Sequence, residues 1–159
     1  MFNFFKKDKT VSISAPMTGK VIAIEEVPDE VFAQKMVGDG LAIDPTEGIV
    51  VAPVDGEISQ LFPTEHAIVV KTKENIEILI HVGMDTVNLK GEGFKALISK
   101  GDKVSKGDPL LEFDLEYIKK HAKSAISPIT ITETENFKEF KKKEGEVEKG
   151  KDEVLNIKF

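Results

Sequence analysis

The sequence predicts an all-β protein, a compact antiparallel β-sandwich or barrel with internal quasi-duplication and a few short helices. Three observations predict it. Short β-branched runs recur between Gly, Pro and Asp punctuation, which is the pattern of strands and turns. Helical stretches are few and brief. Finally, SAPMTGKVIAI from Ser14 and VAPVDGEISQL from Val51 share Ala-Pro-x-x-Gly followed by a strand-like run, 37 residues apart. A Pro and a Gly at the same offsets set the same turn twice, so two similar units pack in one body.

Taken in chain order, the strand-like runs are VSISA, KVIAI, GIVVA, AIVVKT, IEILIHV and LNIKF. A third hairpin-like unit, GDKVSKGDPLLEFD, carries Gly-Asp twice around a short strand. Helices are expected around Asp29–Gln34, Phe94–Ile98, Glu116–Ala122 and Asn136–Lys142. Lysines 141–143 beside many glutamates read as a solvated surface. Many short strands at this spacing favour a sandwich or barrel over alternating βαβ units. No stretch reads as a linker, so we expect a flexible tail over 1–11 and one domain over 12–159.

Composition narrows the function. The chain has 159 residues, a formal net charge of −6 and no cysteine. Phosphate backbones are bound by clustered positive charge, so nucleic acid is not an expected partner. An acidic surface would instead steer a basic protein. Without cysteine there is no disulfide framework, thiol chemistry or cysteine zinc site, and a cytoplasmic location is expected. No apolar run reaches membrane-spanning length, and MFNFFKKDK lacks the apolar stretch and cleavage site of a secretory signal. Phe2–Lys7 could make a weak contact with an anionic membrane surface.

The segment IEILIHVGMDTV places Ile76, Ile78, Ile80 and Val82 on one face of a strand and His81 on the other. If Lys73-Glu74 is a two-residue loop joining AIVVKT to IEILIHV, His66 lies directly across from His81. Opposed residues have β-carbons about 5 Å apart, so the two imidazoles would meet. A loop one residue longer flips that relation. Thr64 shares parity with His66 and could hydrogen-bond its ring. Asp85 follows Gly83, where the backbone can turn.

Two imidazoles admit several chemistries. They are too few for a structural zinc site, although they could share a zinc with a partner's carboxylate. A hydrolase triad lacks its nucleophile motif. Alternatively, one imidazole carries a phosphoryl group: neutral near pH 7, it has a lone pair to attack phosphorus, and its neighbour can donate a hydrogen bond to the phosphoryl oxygens. The absence of a Walker-type Gly-rich loop separates a carrier from a kinase.

HVGMDTVNLKGEGF closely resembles the phosphohistidine signature of the glucose-type IIA proteins of the bacterial phosphotransferase system. IEEVPDEVFAQKMVGDGLAI, VAPVDGEI, TEHA and FDLEYIKKHAKS extend the likeness from about Ser12 to the C-terminus. The resemblance implies a cofactor-free β-sandwich that accepts a phosphoryl group from the histidine phosphocarrier protein HPr and passes it to a cysteine of a sugar permease's IIB domain. On that resemblance His81 is the phosphorylated residue, through Nε2, His66 supports it, Thr64 orients His66, and Asp29 and Asp85 are flanking acids.

Those acids would attract an arginine of HPr. Phe32, Met36, Val37, Phe62, Ile68 and Leu79 are candidates for an apolar ring that excludes water and meets both partners, with Phe32 facing outward. The sequence departs from familiar members in its short N-terminal extension and in the aliphatic Ile68 and Leu79 where aromatics are usual. His121 is expected to be exposed and uninvolved. A carrier that visits two partners in turn is expected to be a monomer. The competing expectation is a regulatory binding module whose unphosphorylated surface inhibits metabolic or transport proteins.

Overall fold

A computed structural model describes residues 9–134 and 136–159. In chain order these fold as β1 (Thr10–Ser14), β2 (Gly19–Ala23), a 3-10 turn (Ile24–Glu26), α1 (Glu30–Ala33), β3 (Asp39–Pro45), β4 (Ile49–Val51), β5 (Gly56–Leu61), β6 (Ala67–Lys71) and β7 (Glu77–His81). There follow a 3-10 turn (Thr86–Leu89), β8 (Phe94–Ala96), β9 (Lys103–Val104), β10 (Pro109–Phe113), α2 (Leu115–His121), β11 (Ser127–Ile131), β12 (Glu139–Lys142), β13 (Glu146–Val147) and β14 (Glu153–Lys158).

All pairings between these strands are antiparallel. They make one eight-stranded sheet, ordered β13-β2-β3-β11-β7-β6-β5-β9, and two three-stranded sheets, β1-β14-β12 and β4-β10-β8. The sheets stay open, so the architecture is a sandwich and not a barrel. The core between them is aliphatic: Ile13, Ile43, Ile58, Ile68, Ile78, Ile80, Leu110 and Leu111 are fully buried. Each such side chain contributes about 2 kcal/mol of transfer free energy.

The duplication seen in the sequence runs through the whole body. Ser14 N–H donates to Pro53 O, and Val51 N–H donates to Pro16 O, a reciprocal pair linking the two Ala-Pro motifs. Gly19 opens β2 against Val147, as Gly56 opens β5 against Val104. A Cβ on either glycine would drive into a backbone carbonyl of the neighbouring strand, at Asp44 or Lys71, so close strand approach requires glycine at both sites. The large sheet reads as equivalents from its two ends, with a pseudo-dyad passing between Ile80 of β7 and Ile129 of β11.

Two expected helices are strands instead. Phe94–Ala96 pairs with β10, and Glu139–Lys142 pairs with β14. Tertiary pairing overrides the weak helical propensity of these lysine- and phenylalanine-bearing segments. Phe137 then packs near Phe140 and Phe159, with ring centroids 6.0 and 5.9 Å away. The other two helices form where expected, as α1 and α2, each capped by an aspartate: Asp29 accepts from Val31 N and Phe32 N, and Asp114 from Tyr117 N. Strand β1 begins at Thr10, inside the stretch expected to be tail. Residues 2–7, the expected membrane contact, lie outside the described residues. Among the described residues no helix is long and apolar enough to cross a membrane.

Candidate functional site

Strand β7 aims Ile78 and Ile80 into the core and leaves Leu79 and His81 on the outer face. The hairpin register differs from the expected one. His81 pairs with Ala67, and the chain turns through residues 72–76, closed by Thr72 N–H to Ile76 O and by Ile76 N–H to the Thr72 hydroxyl. Asn75 takes the left-handed conformation the turn needs, so Lys73-Glu74 is not the loop.

The imidazoles still meet, with ring centroids 4.9 Å apart and planes at 82°. His66 precedes β6, and Glu65 has φ of 60°, so the alternation of the strand does not extend to His66. The 62–66 loop turns its ring onto the face of His81 instead.

Around this pair the side chains are specific. The Thr64 hydroxyl is hydrogen-bonded to His66 Nδ1, and Phe62 sets its ring edge-on to His66 at 5.5 Å. His81 Nδ1–H donates to Gly83 O at 2.8 Å, which fixes the proton on Nδ1 and leaves the lone pair on Nε2. Phe32 meets His81 edge-on at 5.0 Å, but it does not face outward as expected: it is buried with Ile24, Val27, Ala42 and Met84, because the capped turn of α1 folds it under the surface. Asp29 is committed to that cap, whereas Asp85, exposed at φ of 60°, opens the Thr86–Leu89 turn without a side-chain capping hydrogen bond.

Met36, Val37, Phe62 and Leu79 line one open groove of about 420 Å³ beside the histidines. Ile68 does not belong to it. With Ala67 opposite His81, Ile68 pairs with Ile80 and points into the core, fully buried. Ile68→Ala is therefore expected to lower stability by about 2–4 kcal/mol, seen in urea unfolding, while leaving the affinity of partner proteins unchanged. A loss of partner affinity at unchanged stability would return Ile68 to the surface ring. His121 is exposed and stacks on Tyr117 at 4.3 Å, away from the pair. Gly83, Thr86 and Ser127 also shape the site. Only the turn-forming role of Gly83 was legible beforehand.

Electrostatics keep both rings neutral. Burial, with the neighbouring His81 adding to it, pushes His66 down to about 4. Burial also lowers His81, opposed by its hydrogen bond to Gly83 O and by the charge of Asp29. The folded state thus resists protonating His66, while the unfolded chain takes that proton near pH 6.5. Stability is full above pH 6.5 and falls as the pH drops toward 4, by about 3 kcal/mol from this residue alone. Urea unfolding between pH 4 and 7 is expected to show that slope in the parent and a flatter one in His66→Gln; equal slopes would refute it. Among the described residues no group of three or more His, Cys, Asp or Glu is placed to hold a metal ion, so a zinc on this pair would need a further ligand from outside.

An antiparallel β-sandwich bearing a neutral histidine pair on one face of its large sheet defines a narrow class. The chain belongs to the EIIA 1 family of the phosphoenolpyruvate-dependent sugar phosphotransferase system, whose model matches residues 11–137. It is 54% identical over 158 residues to the PTS system glucose-specific EIIA component of Bacillus cereus, covering 99% of this chain and 96% of that protein. It is 47% identical over 151 residues to the protein of the same description from Staphylococcus epidermidis, covering 94% and 91%. The solved glucose permease IIA from Mycoplasma capricolum superposes with a TM-score of 0.88 at 39% identity, covering 98% of this chain and 99% of that one.

Proposed function

We propose that this EIIA component takes a phosphoryl group from the phosphohistidine of HPr onto His81 Nε2 and passes it to a cysteine of the IIB domain of a glucose-type permease. The observation that carries the reading is the hydrogen bond from His81 Nδ1–H to Gly83 O. It leaves Nε2 as the nucleophilic nitrogen. In the step, a new N–P bond forms at Nε2 as the donor's N–P bond breaks and its electron pair returns to the donor imidazole. The Nδ1 proton stays in place, so no base is required.

His66 donates its Nε2–H to the phosphoryl oxygens while its Nδ1 accepts from the Thr64 hydroxyl. Asp29 and exposed Asp85 attract the cationic side of HPr, and the groove of Met36, Val37, Phe62 and Leu79 gives both partners apolar contact. The protein works as a cytoplasmic monomer that presents one face to each partner in turn.

A second reading, regulation by the unphosphorylated surface, draws support from the exposed apolar side chains Val31, Met36 and Val87, which offer contact area independent of the phosphoryl group. Incubation with phosphoenolpyruvate, enzyme I and HPr tests the first reading. It should yield an acid-labile, base-stable phosphate that mass spectrometry maps to His81. A phosphate on any other residue, or none, overturns it.

A further inference from the structure

The His81–Gly83 hydrogen bond depends on a carbonyl whose direction is set by hydroxyl groups inside and outside the signature. The Val82–Gly83 peptide is held at both ends by hydroxyl groups. Its oxygen accepts from Thr86 Oγ1, and its N–H donates to Ser127 Oγ at 3.1 Å. Both hydroxyls are fully buried, and both of their protons are committed, Thr86's to Val82 O and Ser127's to Ala125 O at 2.9 Å. The Ser127 oxygen can therefore only accept from Gly83.

The next peptide is gripped as well, through Met84 N–H to Ser124 O at 2.8 Å. Gly83 turns between the two planes at φ of 71°, and a Cβ there would lie 2.7 Å from Thr86 Cγ2 and 2.9 Å from Ser124 O. With both planes fixed, the Gly83 carbonyl has one direction open to it, toward His81 Nδ1.

We propose that Thr86 and Ser127 are positioning residues for phosphoryl transfer, which lock the tautomer of His81 by clamping the Val82–Gly83 peptide. The inference rests on the reading of His81 as the phosphoryl acceptor. As the N–P bond forms, the ring gains positive charge with its Nδ1 proton retained, and the Gly83 carbonyl oxygen, in the peptide that follows the clamped one, faces that charge without having to reorganise. A freely rotating peptide would let the ring populate the Nε2–H tautomer, which has no lone pair at the reacting nitrogen. Neither hydroxyl touches the reacting atoms.

The test begins without any phosphoryl donor. Long-range proton–nitrogen correlation spectra of the ¹⁵N-labelled chain separate protonated from unprotonated ring nitrogens. The parent is expected to show His81 as a single Nδ1–H tautomer. Thr86→Val, which keeps the shape and removes the hydroxyl, and Ser127→Ala are expected to raise the Nε2–H fraction. They should also lower the kcat for phosphoryl acceptance about tenfold, with the KM for phosphorylated HPr little changed. Thr86→Ser, which restores the hydroxyl and drops the methyl, should recover the parent tautomer and most of the rate.

If Thr86→Val keeps the parent tautomer, or if Thr86→Ser is as impaired as Thr86→Val, the clamp is only packing and the inference falls. Should Ser127→Ala fail to fold, the near-isosteric Thr86 pair decides alone. Because the tautomer is read on the unphosphorylated protein, a parent chain that shows the lock yet takes no phosphate at His81 would sink the proposed function and not the clamp.

Discussion

His81→Ala takes up no phosphate from phosphorylated HPr, and sugar phosphorylation in the reconstituted relay falls to background. The expectation rests on chemistry that no neighbour can replace. His66 is 3% exposed, so a donor's phosphorus cannot align with it as it can with half-buried His81. Its Nδ1 is taken by Thr64, and in the proposed role the remaining nitrogen carries the proton. The substitution removes a half-buried ring that is tied to the backbone at Gly83, so the fold should survive it. Circular dichroism and unfolding in urea should match the parent while the acid-labile label disappears. A residual stoichiometric label in the variant would move the acceptor elsewhere and end the reading.

His66→Ala separates the two halves of the relay. The variant should still acquire the phosphoryl group, because the lone pair of His81 and its bond to Gly83 are intact. Onward transfer to the IIB cysteine should slow by about two to three orders of magnitude, the loss typical of removing one oriented donor from a charge-accumulating transition state. The asymmetry has a physical source. In the proposed relay an arginine of HPr would bring positive charge to the first step, whereas an attacking thiolate in the second would be an anion and would leave the phosphoryl oxygens dependent on His66. His66→Gln should recover part of the rate if its amide reaches the same oxygens. Full sugar phosphorylation by His66→Ala would exclude the assigned role.

Much of this architecture could be read from residue order, for identifiable reasons. Strands half-exposed to solvent, such as Glu77–His81, announce themselves by alternation, and the repeated Ala-Pro-x-x-Gly motif announces the duplication. Strands β3 and β11 are less audible because they run beside each other near the middle of the sheet, and all five residues of β11 are buried, so no polar beat marks the period. The meeting of the histidines was anticipated, but through a register that does not exist. Their proximity comes from a left-handed Glu65 and a turn at 72–76, features that local pattern conveys poorly. The clamp on Gly83 was hidden altogether. Ser127 lies 44 residues beyond Gly83, and a buried serine in a strand carries no signature of its target.

Carrying β6 onto β3 and β7 onto β11 by the relation that carries β5 onto β2 brings His66 onto Asp39 and His81 onto Thr130. The molecule therefore holds a twin of the seat that the histidine pair occupies. In the twin, Asp39 is bound to Lys142 at 2.7 Å, and the Thr130 hydroxyl donates to Val37 O at 3.1 Å. Two halves with a common plan carry different side chains there, an ion pair and a hydroxyl in one and two imidazoles in the other. What distinguishes them is a handful of side chains and the loops that aim them, since the scaffold offers both places alike.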